Sequence, residues 1–223
     1  MTTGEGLPNC SGRKIVSLFD FSGNWPRPYA EAGANVILID LKHGIDIMDI
    51  DATWIMDNIL NKYGTVDAVL AAPPCTDFSL SGAQYWPAKD ADGRTAKSVA
   101  LVRQALKVIE RLKPSVWCIE NPRGRIRKLI PELGRPRHFD PADYGDPYTK
   151  RTALFGKFRM PMGLAGELFG QPVVKIRSSS QGSWIQRLGG KSERTKTLRS
   201  VTPLGFAYAF MKANSWGSSC SDS

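Results

Sequence analysis

Two residues of the sequence combine a side chain and a position suited to covalent chemistry on a heterocyclic ring. Cys75 follows Pro73-Pro74 directly after an apolar stretch, and Glu120 ends a second apolar stretch. A thiolate in an exposed, electropositive setting is a good nucleophile, and a nearby carboxyl group can hold or donate a proton to a ring nitrogen. The alternatives are a small buried side chain at Cys75 and a capping or ion-paired carboxylate at Glu120.

The elements that must position these residues alternate along the first 120 residues. Apolar runs predict strands, and apolar residues at helical spacing predict helices between them. The strands are predicted at 14–19, 35–40, 66–71 and 116–120, and the helices at 26–32, 51–62 and 95–112. This alternation predicts parallel βαβ units in an open sheet. In such a sheet ligands bind beyond the carboxyl ends of the strands, where Cys75 and Glu120 are expected.

The charge of the chain is concentrated in one stretch. Lys and Arg exceed Asp and Glu by 9 over residues 150–199, whereas residues 1–149 and 200–223 are each neutral. A solvated basic face is the simplest explanation. A neutral part followed by a strongly basic one is also typical of a protein that binds a phosphate backbone, and we favour that interpretation.

Composition excludes several classes of protein. No apolar run approaches the roughly 18–20 residues that cross a bilayer, and residues 1–13 are polar, so neither a membrane span nor a signal peptide is expected. The four cysteines have no CxxC spacing and there are only two histidines, so we expect no metal site. The chain is expected to be intracellular and reduced.

Four segments together resemble the DNA (cytosine-5) methyltransferases. The Pro-Cys catalytic motif of that family is similar to residues 70–82, and its Glu-Asn motif to residues 119–122. Its Gln-x-Arg-x-Arg motif resembles residues 144–152, and its Arg-x-x-Thr-Pro motif residues 199–203. The order along the chain is also that of the family. Short chains of this kind look like those carried by bacteriophages, which would place the protein in the cytoplasm of the host cell.

The resemblance implies a fold and a mechanism. The fold is an open, mostly parallel, doubly wound sheet of the S-adenosylmethionine-dependent methyltransferase type, with a small irregular basic recognition lobe. Cys75 would attack C6 of a cytosine flipped out of double-stranded DNA, and Glu120 would contact N3. Asn121 would position the loop that carries the cysteine, and Lys150 or Arg151 would orient the base and its phosphate.

The resemblance also implies S-adenosyl-L-methionine as the cofactor. Residues 17–23 resemble the family's Phe-x-Gly-x-Gly loop. Asp40 is expected to accept hydrogen bonds from the ribose hydroxyls and Asp46 from the adenine amine, the alternative being turn or cap residues. The full set expected to bind the cofactor is Phe19, Asp20, Phe21, Ser22, Gly23, Asn24, Asp40, Leu41, Asp46, Ile47 and Pro73.

DNA contacts are expected from the Cys75 loop and from the basic stretch. The residues are Ser79, Gln84, Arg123, Arg177, Arg187, Lys191, Arg194 and Lys196. The segment 76–95, with hinges at Gly82 and Gly93, is expected to close over DNA. Tyr85 and Trp86 are candidates to fill the gap left by the flipped base. The alternative is a surface loop with no such role.

The domain boundaries follow from these assignments. Residues 1–156 are expected to form the catalytic domain, 157–199 the recognition lobe, 200–214 a helix that packs back on the catalytic domain, and 215–223 a flexible tail. The chain is expected to be a monomer. It departs from the family pattern at Tyr148, at Thr152 and in the missing second glycine of the cofactor loop, and the final Gly-Asn motif has no clear counterpart.

Two other functions stay open on the sequence. An RNA (tRNA) cytosine-5 methyltransferase would suit the same basic lobe, and Cys118, near the end of the next strand, is where dedicated RNA enzymes place their nucleophile. A catalytically inactive DNA-binding relic would explain the missing cofactor elements. Amino-group methyltransferases fit less well, because their Pro-Pro-aromatic motif carries no cysteine.

Overall fold

The computed structural model of the chain describes residues 7–163 and 200–216. Its strands are β1 (Lys14–Leu18), β2 (Asn35–Ile39), β3 (Ala68–Ala71), β4 (Val116–Pro122), β5 (Arg137–Phe139) and β6 (Thr152–Lys157). Its α-helices are α1 (Arg27–Glu31), α2 (Ala52–Ile55), α3 (Asn61–Tyr63), α4 (Trp86–Ala91), α5 (Arg94–Leu112), α6 (Ile126–Leu129) and α7 (Leu204–Asn214). A π-helical turn, Met56–Leu60, joins α2 to α3.

The six strands form one sheet in the order β2-β1-β3-β4-β6-β5. The first four strands are parallel to one another. β6 runs antiparallel to both β4 and β5. The expected open, mostly parallel sheet and its first four strands are thus confirmed. The sequence did not predict β5, which has only three residues, or β6, which lacks a clear alternating pattern.

The core has two layers, one on each face of the sheet. On one face α5 packs through Val102, Ala105 and Val108, all fully or almost fully buried. These residues recur at helical spacing, which is why the predicted helix at 95–112 forms in nearly the expected place. The short strand β3 is buried along its whole length because both layers cover it.

The other layer is built by α1 and α7. Phe206 of α7 stacks on Phe139 with ring centroids 3.7 Å apart, and it also lies beside Trp25. At the far end of α7, the amide of Asn214 accepts a hydrogen bond from the backbone N–H of Arg159 and donates one to its carbonyl, at 2.7 and 2.9 Å. The last helix therefore packs against the region of Trp25 and Phe139 at one end and against the segment after β6 at the other.

The described residues before 164 and after 199 pack against the same turn, Pro141–Tyr144. A Cβ atom on Gly205 would lie 2.0 Å from the carbonyl oxygen of Tyr144, so only glycine allows this approach. A Cβ atom on Gly163 would lie 3.0 Å from the carbonyl oxygen of Asp143. The two flanks are therefore close to each other.

The described residues contain neither a membrane-spanning helix nor a cluster of metal-binding side chains. Within 7–163 and 200–216, none of the helices has the length and apolar character of a transmembrane segment. The same part of the chain contains no group of three or more His, Cys, Asp or Glu side chains arranged to hold a metal ion.

Candidate active site

Cys75 and Glu120 lie on segments at the carboxyl edge of the sheet that belong to two neighbouring strands. In the parallel pair β3–β4, Ala71 lies opposite Ile119, and the chain continues from these residues to Cys75 and to Glu120. The side-chain amide of Asn121 then donates a hydrogen bond of 3.1 Å to the carbonyl oxygen of Pro73. The two expected catalytic positions are thus tied together by a buried bond between their segments.

Cys75 lies in a tight turn. Its carbonyl oxygen accepts hydrogen bonds from the backbone N–H groups of Phe78 and Ser79, at 3.1 and 2.9 Å. Cys75 is half-buried, whereas the two other cysteines in the described residues, Cys10 and Cys118, are buried. Burial raises the pKa of the Cys118 thiol well above its ordinary value. Cys118 is therefore unsuited to the nucleophilic role that the RNA interpretation would give it.

The carboxyl group of Glu120 lies in an environment that favours its protonated form. The residue is only 6% exposed, and this burial raises its pKa. The positive charge of Lys150 acts in the opposite direction, and the negative charge of Asp20 adds to the rise. A buried carboxyl group with a raised pKa is suited to donating a hydrogen bond or a proton to a ring nitrogen.

Lys150 and Arg151 reach this edge because β6 is antiparallel to β4. Thr152, the first residue of β6, lies opposite Pro122 at the end of β4. The carbonyl oxygen of Arg151 accepts a hydrogen bond from the N–H of Arg123, and the N–H of Lys150 donates to the carboxylate of Asp140. Lys150 is therefore close enough for its charge to act on Glu120, and Arg151 lies beside Arg123 at the end of β4.

The position of the family's second arginine has a different role here. Thr152 is only 1% exposed, and its hydroxyl donates a 2.7 Å hydrogen bond to the carbonyl oxygen of Lys150. Its side chain therefore supports the backbone that carries Lys150 and is not directed to a ligand.

Within the expected cofactor loop, the carboxylate of Asp20 accepts its hydrogen bonds from neighbouring residues of the chain. It accepts hydrogen bonds from the hydroxyls of Ser17 and Ser22 and from the N–H groups of Gly23 and Trp25. Phe19, just before it, has a positive φ of 59°. The loop is thus shaped by Asp20, whose part in binding the cofactor stays a prediction.

Asp40 and Asp46 occupy turn positions at the same edge. One oxygen of Asp40 accepts a hydrogen bond from the N–H of Lys42, and one oxygen of Asp46 accepts a hydrogen bond from the N–H of Met48. These are the cap contacts that the sequence offered as the alternative for both residues. They do not occupy the whole carboxylate, so hydrogen bonding to a ligand stays a prediction.

The apolar residues of the expected cofactor set differ in exposure. Phe21 is 47% and Leu41 72% exposed, while Ile47 is packed in the core and Pro73 is buried. The ring of Phe21 lies 5.0 Å from that of His43 and 5.1 Å from Nζ of Lys42, two neighbours that the sequence did not single out. Carboxylate acceptors beside exposed apolar surface suit the hydroxyl and amine donors and the purine ring of an adenosine group.

The segment after Cys75 is more ordered than the sequence predicted. It contains the 3₁₀ turn Leu80–Tyr85 and helix α4. Trp86 packs its ring against the guanidinium of Arg125, 4.5 Å away, so in this conformation the ring contacts the protein itself. Tyr85, the other candidate for filling the gap, is 58% exposed. Arg125 was missed, because nothing in the sequence reveals its partners.

The expected DNA contacts fall into two groups. Ser79 is paired with Gly124 beside the Cys75 turn, and Gln84 and Arg123 are exposed. The remaining expected contacts lie outside the described residues, namely Arg177, Arg187, Lys191, Arg194 and Lys196.

Comparisons with known proteins agree with this geometry. A family model described as C-5 cytosine-specific DNA methylase matches residues 39–128, which include Cys75, Glu120 and Asn121. A Frog virus 3 (isolate Goorha) protein named "Probable DNA (cytosine-5)-methyltransferase" is 29% identical over 206 residues, covering 83% of this chain and 92% of that protein.

A solved structure is also similar. It is an E. coli prophage protein described as a DNA modification methyltransferase, with a TM-score of 0.47 and 17% identity over 71% of this chain. This chain spans 49% of that protein. The family model and the viral relative support the resemblance to the DNA (cytosine-5) methyltransferases that was found in the sequence.

Proposed function

We propose that this DNA (cytosine-5) methyltransferase uses Cys75 as its nucleophile and Glu120 as the acid that assists it. The observation that carries the proposal is the position of both residues on adjacent strand ends, with the bond from Asn121 to Pro73 between their segments. The half-buried thiol and the buried carboxyl group have different surroundings, which suits two different roles.

The proposed reaction begins on a cytosine flipped out of the duplex, because the ring cannot be reached while it is stacked. The Cys75 thiolate forms a bond to C6, and Glu120 donates a proton to N3, so the electrons of the C5–C6 double bond become available at C5. These electrons form the bond from C5 to the incoming methyl group. Water then takes the proton of C5, the electrons of the C5–H bond re-form the C5–C6 double bond, and the S–C6 bond breaks with its electrons on sulfur. N3 returns its proton to Glu120, and the thiolate is free again.

S-adenosyl-L-methionine, when bound, supplies the methyl group that is transferred to C5. The residues that would hold it are the exposed ring of Phe21 and the carboxylates of Asp40 and Asp46. The loop shaped by Asp20 lies beside Glu120, since the charge of Asp20 acts on the Glu120 pKa. The cofactor and the base would therefore lie at the same edge of the sheet.

DNA is proposed to bind across this edge. Ser79 belongs to the Cys75 turn, Gln84 and Arg123 are exposed, and the excess of basic residues over 150–199 supplies charge for phosphate contacts. A DNA substrate and this methyl donor place the proposed reaction inside the cell.

The test is transfer of the methyl group by the purified full-length chain. The protein is incubated with S-adenosylmethionine and either unmodified DNA or tRNA, and 5-methylcytosine is located by bisulfite sequencing. We expect methylation of DNA in a fixed short context. Methylation of tRNA alone would favour the RNA enzyme, and no transfer to either would favour the inactive DNA-binding relic.

The nucleophile is tested with Cys75→Ser and the matched control Cys118→Ser. We expect Cys75→Ser to keep DNA binding and to lose methyl transfer, since a serine hydroxyl is a far weaker nucleophile at neutral pH. Cys118→Ser, in the same sheet but buried, should retain transfer. Undiminished turnover by Cys75→Ser would exclude the covalent mechanism.

A further inference from the structure

The side chain of Arg125 makes an unusual number of contacts. Its Nε donates to the carbonyl oxygen of Asp77 at 3.0 Å, and its two terminal nitrogens donate to the two carboxylate oxygens of Asp90 at 2.8 and 2.7 Å. One of these nitrogens also donates to Oγ1 of Thr95 at 2.8 Å, and the guanidinium lies over the ring of Trp86. The side chain is only 10% exposed.

These partners all belong to the segment that follows Cys75 or to the start of α5. Asp77, two residues after Cys75, also accepts a 2.5 Å hydrogen bond from the hydroxyl of Ser98 and forms an ion pair of 3.1 Å with Lys89. The Arg125 backbone N–H donates to the carbonyl oxygen of Phe78 at 2.9 Å. Arg125 thus holds the beginning, the middle and the end of the segment 76–95.

Arg125 is also fixed to the strand that carries Glu120. It follows β4 by three residues, and between them Gly124 lies directly against the backbone of Phe78. One side chain therefore connects the turn of the proposed nucleophile to the strand of the proposed acid.

We infer that Arg125 is a positioning residue for methyl transfer, holding the Cys75 turn at a fixed place relative to Glu120. The inference rests on the proposed function of those two residues. A planar guanidinium can bind a backbone carbonyl, a bidentate carboxylate and a hydroxyl while stacking on a ring, whereas the ammonium of lysine cannot.

The contacts are expected to contribute unequally. Asp90 is 50% exposed at its side chain, so its ion pair is worth little by itself. Asp77 and Thr95 are only 7% and 6% exposed, so a hydrogen bond lost from either of them is not replaced easily by water. Positioning should therefore depend on Arg125 itself more than on Asp90.

The experiment compares Arg125→Lys and Asp90→Ala with the control Arg103→Lys. Arg103 lies on α5 and pairs with Glu132 at 2.8 Å on the exposed surface, away from the Cys75 turn. Two quantities are measured on the full chain: kcat and KM for methyl transfer to DNA, and the rate at which iodoacetamide alkylates Cys75, followed by peptide mapping. Circular dichroism verifies that each variant is folded.

We expect Arg125→Lys to lower kcat on the order of 100-fold, the loss typical of a small displacement of a reacting group, with KM for S-adenosylmethionine almost unchanged. The alkylation rate of Cys75 should change at least about threefold, while Asp90→Ala and Arg103→Lys stay close to wild type. Wild-type kcat and alkylation in a folded Arg125→Lys would overturn the inference.

The two readouts separate this inference from the proposed function. If the wild-type protein transfers no methyl group, the proposed function fails, and the alkylation rates alone decide whether Arg125 positions Cys75. If wild type is active and Arg125→Lys is equally active with an unchanged alkylation rate, only the inference about Arg125 fails.

Discussion

The side chain of Asn121 and the backbone of Pro73 form the direct bond between the two halves of the proposed active site. The amide nitrogen of Asn121 donates to the Pro73 carbonyl oxygen at 3.1 Å, in a site where Asn121 is fully buried. Its amide oxygen has no hydrogen-bond partner among the described residues. The amide nitrogen of Asn121 thus holds the Cys75 segment against β4.

Removal of this bond should slow the reaction more than it affects binding. Asn121→Ala leaves the carbonyl of Pro73 without its partner, at a cost of about 1–3 kcal/mol, and frees the Cys75 turn to shift. We expect a lower kcat with little change in KM for DNA. Asn58→Ala is the control, because Asn58 makes an equivalent 3.1 Å bond, to the carbonyl oxygen of Trp54, within one helix. Equal kcat in the two variants would contradict the prediction.

The raised pKa of Glu120 should appear in the pH dependence of stability. The pKa of Glu120 is higher in the folded than in the unfolded chain. Its contribution to stability is therefore fully present at pH values below 4.5, the ordinary pKa of the group, and is lost as the pH rises through the folded pKa. The variant Glu120→Gln has no titratable carboxyl group at this position. The free energy of unfolding of wild type, relative to Glu120→Gln, should therefore fall as the pH rises above about 4.5.

Chemical denaturation at several pH values measures this difference. Glu132→Gln is a control of opposite sign, since the hydrogen bond from Arg103 lowers the pKa of Glu132. The contribution of Glu132 to the free energy of unfolding is present at pH values above the ordinary carboxyl pKa and is lost as the pH falls. A difference for Glu120→Gln that does not vary with pH would show that the carboxyl group is not perturbed by burial.

The backbone contact at Gly124 predicts that a single methyl group added at this position lowers the activity of the protein. A Cβ atom there would lie 1.9 Å from the carbonyl oxygen of Phe78, so Gly124→Ala must push the Cys75 turn away from β4. We expect methyl transfer to fall by at least about tenfold. Gly82→Ala in the same segment is the control, because its Cβ would meet the carbonyl oxygen of Thr76 at an ordinary 3.5 Å. Similar activity of both variants would contradict the prediction.

The packing of α7 predicts a large effect on stability. Phe206 is fully buried between Phe139 and Trp25, and Phe206→Ala should lower the free energy of unfolding by roughly 3–5 kcal/mol. Tyr208→Phe, on the same helix, removes only the hydroxyl that bonds to Glu31 at the surface, and should cost under about 1 kcal/mol. Urea denaturation of both variants measures the two values. A small loss for Phe206→Ala would show that α7 adds little to the fold.

The salt dependence of DNA binding tests the basic stretch. If Lys191, Arg194 and Lys196 each contact a phosphate, replacing all three by Ala should reduce the slope of log K against log salt by about 2.7, at roughly 0.9 per contact. Fluorescence anisotropy with a short duplex measures the slope. An unchanged slope would mean that the phosphate contacts lie elsewhere.

The parts of the fold that could be predicted are those whose pattern is local. β1 to β4 and α5 follow from apolar runs and helical spacing, and the position of Cys75 and Glu120 follows from the rule that parallel strands end at one edge. Strand β6 has no such local pattern. It forms by pairing with β4, whose residues lie 30 or more positions earlier in the chain. Its antiparallel direction, which brings Lys150 to Glu120, therefore could not be predicted.

The contacts within the site were also beyond the sequence. Asp20 was expected among the cofactor ligands, but the carboxylate of such a residue can equally serve its own loop, and only the geometry separates the two. Arg125 stands in a run of basic residues that looks like a solvated surface. Its burial depends on Asp77, Asp90 and Trp86, which lie 35 or more residues before it.

The meeting of both flanks at the turn Pro141–Tyr144 has an evolutionary consequence. When a stretch of chain leaves and re-enters a domain at nearly the same point, its length alters the closure entropy only slowly, and the core around it needs no rearrangement. The stretch between Gly163 and Ser200 can therefore gain, lose or replace residues while the sheet and its edge stay the same. If this stretch carries the recognition residues predicted from the sequence, selection on which nucleotides are modified can proceed separately from selection on the chemistry that modifies them.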